Sequence, residues 1–140
     1  MRALAVLVAL AGPAGAQVLL PPGTDCEAPD GYEVVETCAR AALEAADGEL
    51  NLAYGLAMTE ARVLTDTYAL NGEPLGTPAE DLLRQAQRDW IAFRDAACAA
   101  EATLGGSEWE GIVALECLTR LTLRRTEDLS RFVPEAPSEG

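Results

Sequence analysis

The 140-residue chain has no histidine and no lysine; its ten cationic side chains are all arginine. Without imidazole there is no Ser-His-Asp or Cys-His catalytic set, no His-ligated zinc and no side chain that switches charge near neutral pH. Against ten arginines stand 23 acids, a formal net charge of −13. Nucleic-acid binding needs a basic surface that releases counterions, so no nucleic-acid partner is expected. The sequence also lacks C-x-x-C pairs and a D-x-D-x-D-G loop, the spacings that redox, zinc and calcium sites use, so neither metal nor cofactor is expected. The apolar fraction of 49% overstates the core, because 26 of those residues are alanine. Length alone suggests a single domain.

The one long apolar run is Ala3–Ala11. Arg2 precedes it, Gly12-Pro13 breaks it, and Ala14-Gly15-Ala16 supplies a small-x-small end before Gln17. That order predicts a secretory signal peptide over 1–16. The run falls short of the roughly 20 apolar residues that span a bilayer. No cysteine follows directly at residue 17, so lipid anchoring is not expected there. Loss of residues 1–16 removes Arg2 and no acid, which takes the net charge from −13 to −14 over 124 residues. No later segment is apolar enough to span, and the mature chain is expected in a periplasm or the medium.

Cys26, Cys38, Cys98 and Cys117 all lie in that mature part. An even set in an oxidising compartment predicts two disulfides, with three possible pairings. The sequence-local pairing closes segments with 11 and 18 intervening residues, each bridge worth roughly 2–4 kcal/mol.

Residues 17–32 carry Pro21, Pro22, Gly23 and Pro29 and read as an extended arm. From residue 33 the apolar positions recur every three to four residues, and Glu36 is set to pair with Arg40. Asp47-Gly48 either ends a first helix or lies within a longer one. Beyond it Leu50, Tyr54, Ala57, Ala61, Leu64 and Tyr68 keep helical spacing up to Asn71-Gly72, a C-terminal stop. Thr77-Pro78-Ala79-Glu80 predicts a helix start with Thr77 as cap. The helix it opens carries the stripe Leu82, Leu83, Ala86, Trp90, Phe93 and Ala97 and ends at Gly105-Gly106. Ser107-Glu108-Trp109-Glu110 reads as a second capping box, opening a helix with Ile112, Val113, Cys117, Leu121 and Leu129. The expected class is all-α: a small disulfide-stapled bundle of three to four helices with antiparallel helical hairpins over 33–132, followed by a loose tail at 133–140. Ala-rich helices suit close packing within one chain and dimerisation equally.

Many acids have structural employment. Glu80, Asp81, Glu108 and Glu110 sit in first helical turns, where negative charge meets the helix dipole. Glu116–Arg120, Arg124–Asp128 and Glu127–Arg131 have the i,i+4 spacing of surface pairs. No carboxylate pair stands out for acid–base catalysis. Tyr54, Trp90 and Phe93 fall on apolar stripes and are expected in the core, with Arg94 and Asp95 as a half-buried pair on its flank.

Three stretches then carry a resemblance: Ala46-Asp47-x-x-Leu50-Asn51-x-x-Tyr54; Ala86-Gln87-Arg88-x-Trp90-Ile91-x-Phe93-Arg94-Asp95-x-x-Cys98 with Gly105-Gly106-Ser107; and Cys117-x-x-x-Leu121-Thr122-x-x-Arg125-x-x-x-Leu129. Together they resemble the LprI-like lysozyme inhibitor family over roughly Cys26–Leu129. The resemblance implies an exported, helical, disulfide-bonded inhibitor rather than an enzyme, with lysozyme or another basic protein as partner. The motif residues Asp47, Leu50, Asn51, Tyr54, Gln87, Trp90, Phe93, Arg94, Asp95, Leu121, Thr122, Arg125 and Leu129 are largely of kinds that build a core, and the resemblance gives them a structural role. The acidic surface suits electrostatically assisted occlusion of a basic lysozyme, with the 71–78 loop, the 104–107 turn and the N-terminal arm as candidate contacts. The alternative is a periplasmic interaction or structural module that binds another envelope protein.

Overall fold

A computed structural model describes residues 18–134. The expected signal peptide and most of the expected tail lie outside them. Three α-helices follow in order: α1, Tyr32–Leu70; α2, Ala79–Ala102; and, after a 3-10 turn at Thr103–Gly105, α3, Gly106–Ser130. No strand occurs among the described residues. Two long helical stretches dominate, α1 and the folded-back α2–α3 pair, instead of a series of separate hairpins.

The 39 residues of α1 run through Asp47-Gly48 without interruption. A glycine inside a helix costs about 1 kcal/mol relative to alanine. Burial of Leu50 one turn on contributes about 2 kcal/mol, with Ala46 buried just before, so packing outweighs the local penalty. Tyr32 lies edge-on to Trp109 at a ring separation of 5.5 Å, which sets the starts of α1 and α3 side by side. Leu129, near the end of α3, packs with Leu50, Ala57 and Ala61 of α1 and Leu83 of α2. Helices α1 and α3 therefore run parallel, and α2 runs antiparallel to both.

Both disulfides take the sequence-local pairing, Cys26–Cys38 with Cα atoms 5.6 Å apart and Cys98–Cys117 at 5.5 Å. The first ties the arm to α1. The second is buried between α2 and α3.

The face that α2 turns inward differs from the expected stripe. Leu83, Gln87, Cys98 and Ala102 are buried, and Trp90 and Arg94 are half-buried. Phe93 and Leu82 are 62% and 59% exposed. The helix is rotated because Gln87 and Arg94 find hydrogen-bonding partners on α3, which a hydrophobic stripe does not anticipate.

The helix starts differ as well. Pro78 takes the N-cap position of α2, so Thr77 lies one residue too early. The cap comes instead from α1: the Ala79 amide donates to Thr65 Oγ1 at 2.9 Å, and that hydroxyl donates to Glu80 Oε2 at 2.7 Å. Helix α3 begins at Gly106, which places Ser107 inside the first turn and leaves no side-chain cap. A Cβ on Gly105 would lie 2.9 Å from both the Glu110 amide nitrogen and Val113 Cγ2, so only glycine fits there.

Thr65 thus holds the α1–α2 connection. Thr65→Val is expected to lower stability by about 1 kcal/mol at pH 7 through loss of the cap, read by urea unfolding. The Thr65 hydrogen bond, followed by a backbone hydrogen bond, holds the Glu80 carboxyl below its ordinary pKa. A depressed carboxyl stabilises the fold above its unfolded pKa and loses that contribution as pH falls through the folded value. The stability gap between wild type and Thr65→Val should accordingly narrow from pH 7 to pH 3 without closing, because the Ala79 cap does not titrate.

Candidate functional site

Six of the motif side chains, Asp47, Gln87, Trp90, Arg94, Thr122 and Arg125, meet where the three helices pack. From α2, Arg94 Nη1 donates to Thr122 Oγ1 of α3 at 3.2 Å and reaches Asp47 Oδ1 of α1 at 3.4 Å. Its Nε donates to the neighbouring Asp95 at 3.0 Å. From α3, Arg125 Nε donates to Gln87 Oε1 at 3.0 Å. Both guanidinium carbons lie over the Trp90 ring, at 5.2 Å for Arg94 and 5.9 Å for Arg125. Trp90 itself packs on the Leu50–Leu83–Leu129 cluster.

Burial decides which of these contacts matter most. Thr122 is fully buried and Gln87 nearly so, so their hydrogen bonds satisfy groups that would otherwise be stranded at about 1–3 kcal/mol each. The ion pairs reach carboxylates that are about half exposed, Asp47 at 46% and Asp95 at 58%, and water screens such pairs to 1 kcal/mol or less. Each cation–π contact adds about 0.5–2 kcal/mol. Arg125 Nη2 is buried with no hydrogen-bond partner among the protein groups, a cost that the Trp90 ring and Gln87 offset in part. The arrangement clamps three helices, with Asp47 and Asp95 both engaged by Arg94. Among the described residues no three His, Cys, Asp or Glu side chains gather as a metal site.

The profile of the family described as lysozyme inhibitor LprI matches residues 26–129. The chain belongs to the LprI lysozyme inhibitor family. It is also 34% identical over 136 residues to an uncharacterized protein of Rhizobium meliloti (strain 1021), covering 96% of this chain and 94% of that relative. No solved structure matches it.

The remaining LprI motif residues divide. Leu50 and Leu129 are buried, Tyr54 packs against them, and Leu121 is half-buried, while Asn51, Phe93 and Asp95 face solvent. Phe93 therefore corrects the core expectation, because the rotation that admits Arg94 carries it outward. The four cysteines form two staples, of which Cys98–Cys117 lies one helical turn beyond Arg94. Among the surface pairs, Glu36–Arg40 forms at 2.6 Å, but Arg120 reaches across to Glu101 of α2 instead of back to Glu116. Among the described residues neither Arg124–Asp128 nor Glu127–Arg131 closes to bridging distance.

The candidate contact segments do not converge. The N-terminal arm and the 104–107 turn share the end where α1 and α3 begin. The 71–78 loop lies at the other end of α1, a helix about 58 Å long. Sequence reasoning missed the Thr65–Glu80 cap, formed between residues 15 apart, and a second apolar row on α1. That row is Leu52, Leu56 and Val63, all exposed; its four- and seven-residue spacing was the available signal.

The two motif aromatics should separate on substitution. Trp90→Leu is expected to cost about 2 kcal/mol or more through lost packing and cation–π contact. Phe93→Ser should stay within about 0.5 kcal/mol of wild type, as surface changes do. Thermal unfolding of both variants measures the difference, and equal losses would contradict the orientation of α2.

Proposed function

We propose that this LprI protein is exported and inhibits lysozyme by binding it as an acidic helical ligand, with no chemistry of its own. Membership of the inhibitor family over residues 26–129 carries this reading. Three further observations support it. The net charge of −13 suits a basic partner. Two disulfides suit an oxidising compartment. Among the described residues no helix is long and apolar enough to cross a membrane.

In this reading the motif residues around Trp90 preserve the shape of the bundle, and its surface does the binding. Four of the arginines, Arg40, Arg84, Arg94 and Arg120, are paired within the chain. The acids therefore dominate the field that a partner meets. Such a field accelerates encounter with a cationic surface and adds less to the lifetime of the complex. The occluded site on the lysozyme would be its sugar-binding cleft.

Titration of the oxidised, processed chain into an animal c-type lysozyme clearing a bacterial cell-wall suspension tests this. Saturable inhibition beyond that of an equally acidic unrelated protein is the expected result. The association rate should fall by tenfold or more between 0.02 and 0.5 M salt, as the screening length drops from roughly 20 Å to below 5 Å. Inhibition no stronger than the control's, or none, would remove the inhibitor reading.

A further inference from the structure

Helix α1 is covered on one side by α2 and α3; on the other, arm residues 18–21 share a cleft with Thr37, Arg40, Ala41 and Glu44, and beyond them the side that carries Leu52 and Leu56 is exposed. Leu50, Ala57 and Ala61 face the core. At 100° per residue, Leu52, Leu56 and Val63 fall within about 40° of one another on that exposed side. They are 64%, 59% and 52% exposed, and they extend for about 17 Å along the helix. Isolated exposed leucines are ordinary, but an aligned row on one element is the mark of a contact surface.

The row has an acidic border. Glu49 stands two turns before Leu56, Glu60 one turn after it, and Asp66 one turn beyond Val63. Among the described residues none of the three takes part in an ion pair. Of the nearby cations, Arg62 lies toward α2, where its charge acts on Glu80, and Arg131 shares a surface cleft with Glu60 and Val63. The backbone between the leucines is also open. A Cβ on Gly55 would meet nothing within 4 Å, so packing within the chain does not call for glycine there. Glycine lowers helix stability at such a position, and in exchange it lets a foreign side chain approach the backbone between Leu52 and Leu56.

We propose that this outer face of α1 is the surface that docks the basic partner, an inference that rests on the inhibitor reading above. The partner is a cationic protein that sets an apolar side chain at Gly55 between the leucines and lysine or arginine side chains against Glu49, Glu60 and Asp66. Charge selects this occupant over a second copy, because two chains of net charge −13 would bring like-charged borders together. The arm and the 71–78 loop are too far apart to serve together in one partner patch of about 800 Å2; the arm and the 104–107 turn share one end, and Leu104 serves as the comparison in the test.

The test uses the full oxidised chain, the double variant Leu52→Asn/Leu56→Gln, and Gly55→Gln, each titrated calorimetrically and by inhibition against animal c-type lysozyme. None of the substitutions changes net charge. Gly55→Gln should raise the melting midpoint, because it improves helix propensity, yet lose binding tenfold or more by filling the gap. The double variant should lose binding to a similar extent. Leu104→Asn, at the exposed turn, should bind like wild type. Should the double variant misfold, the thermally sturdier Gly55→Gln still decides. Inhibition by wild type that both α1 variants retain overturns the docking face and leaves the inhibitor reading intact. Loss of binding in Leu104→Asn alone overturns it in favour of the turn. A wild-type dimer that Gly55→Gln dissociates in sedimentation assigns the face to a second copy and overturns the proposal. A wild type that neither binds nor inhibits overturns both readings.

Discussion

The contact of Arg94 and Arg125 with the Trp90 ring is the interaction on which the three-helix arrangement depends. The buried apolar set is dominated by alanine and cystine, and only Leu50, Leu83, Ile112 and Leu129 in it are large aliphatics. At about 2 kcal/mol each, such side chains give collapse but little directional preference. Direction comes from the polar groups around Trp90. Arg94 can meet Thr122 and Asp47 only if α2 has one rotation and one axial position. Arg125 can meet Gln87 only if α3 matches it. Buried polar networks cost stability unless fully matched, so each wrong register is penalised more than a wrong hydrocarbon contact would be.

That dependence explains what could be read from the residues and what could not. Helical character, the stop at Asn71-Gly72 and the break near Gly105-Gly106 are all properties of neighbouring residues, and they appear in the chain as expected; the sequence-local disulfide pairing is one of the three that the sequence left open. The orientation of α2 is not local. Gln87 reads as a surface residue by hydropathy, while Phe93 reads as core; the partners that α3 supplies to Gln87 and Arg94 reverse both assignments, and Arg94 is half-buried as its place on the flank of the stripe implied. The cap on α2 failed to show for the same reason, since Thr65 belongs to a different helix. Gly48 left two outcomes open, and tertiary burial of Ala46 and Leu50 settled them. The motif residues were identifiable as a group, but their division into clamp and surface needed three dimensions.

Charge follows a different logic from packing. Two arginines lie over Trp90 and fix internal register, while others pair with acids at the surface, as Arg120 does with Glu101. The acids greatly outnumber the arginines and most remain in solvent, so the net field outside the molecule is negative. A field of this kind attracts cationic proteins from any direction but does not orient them. Orientation requires an apolar feature, and the exposed row on α1 is a linear one.

The length of α1 gives that row its value. A helix that continues through Gly48 keeps its outer side on one element, which a break would have divided into two short faces at an angle. The same polar clamp that fixes α2 and α3 on one side of α1 keeps them away from the other. Glycine at position 55 weakens this helix locally, and the clamp, the Thr65 cap and the two disulfides supply the stability that makes the loss tolerable. Interior register and a bare outer face are thus two consequences of one arrangement: what holds the helices together also determines which side of α1 is left for a partner.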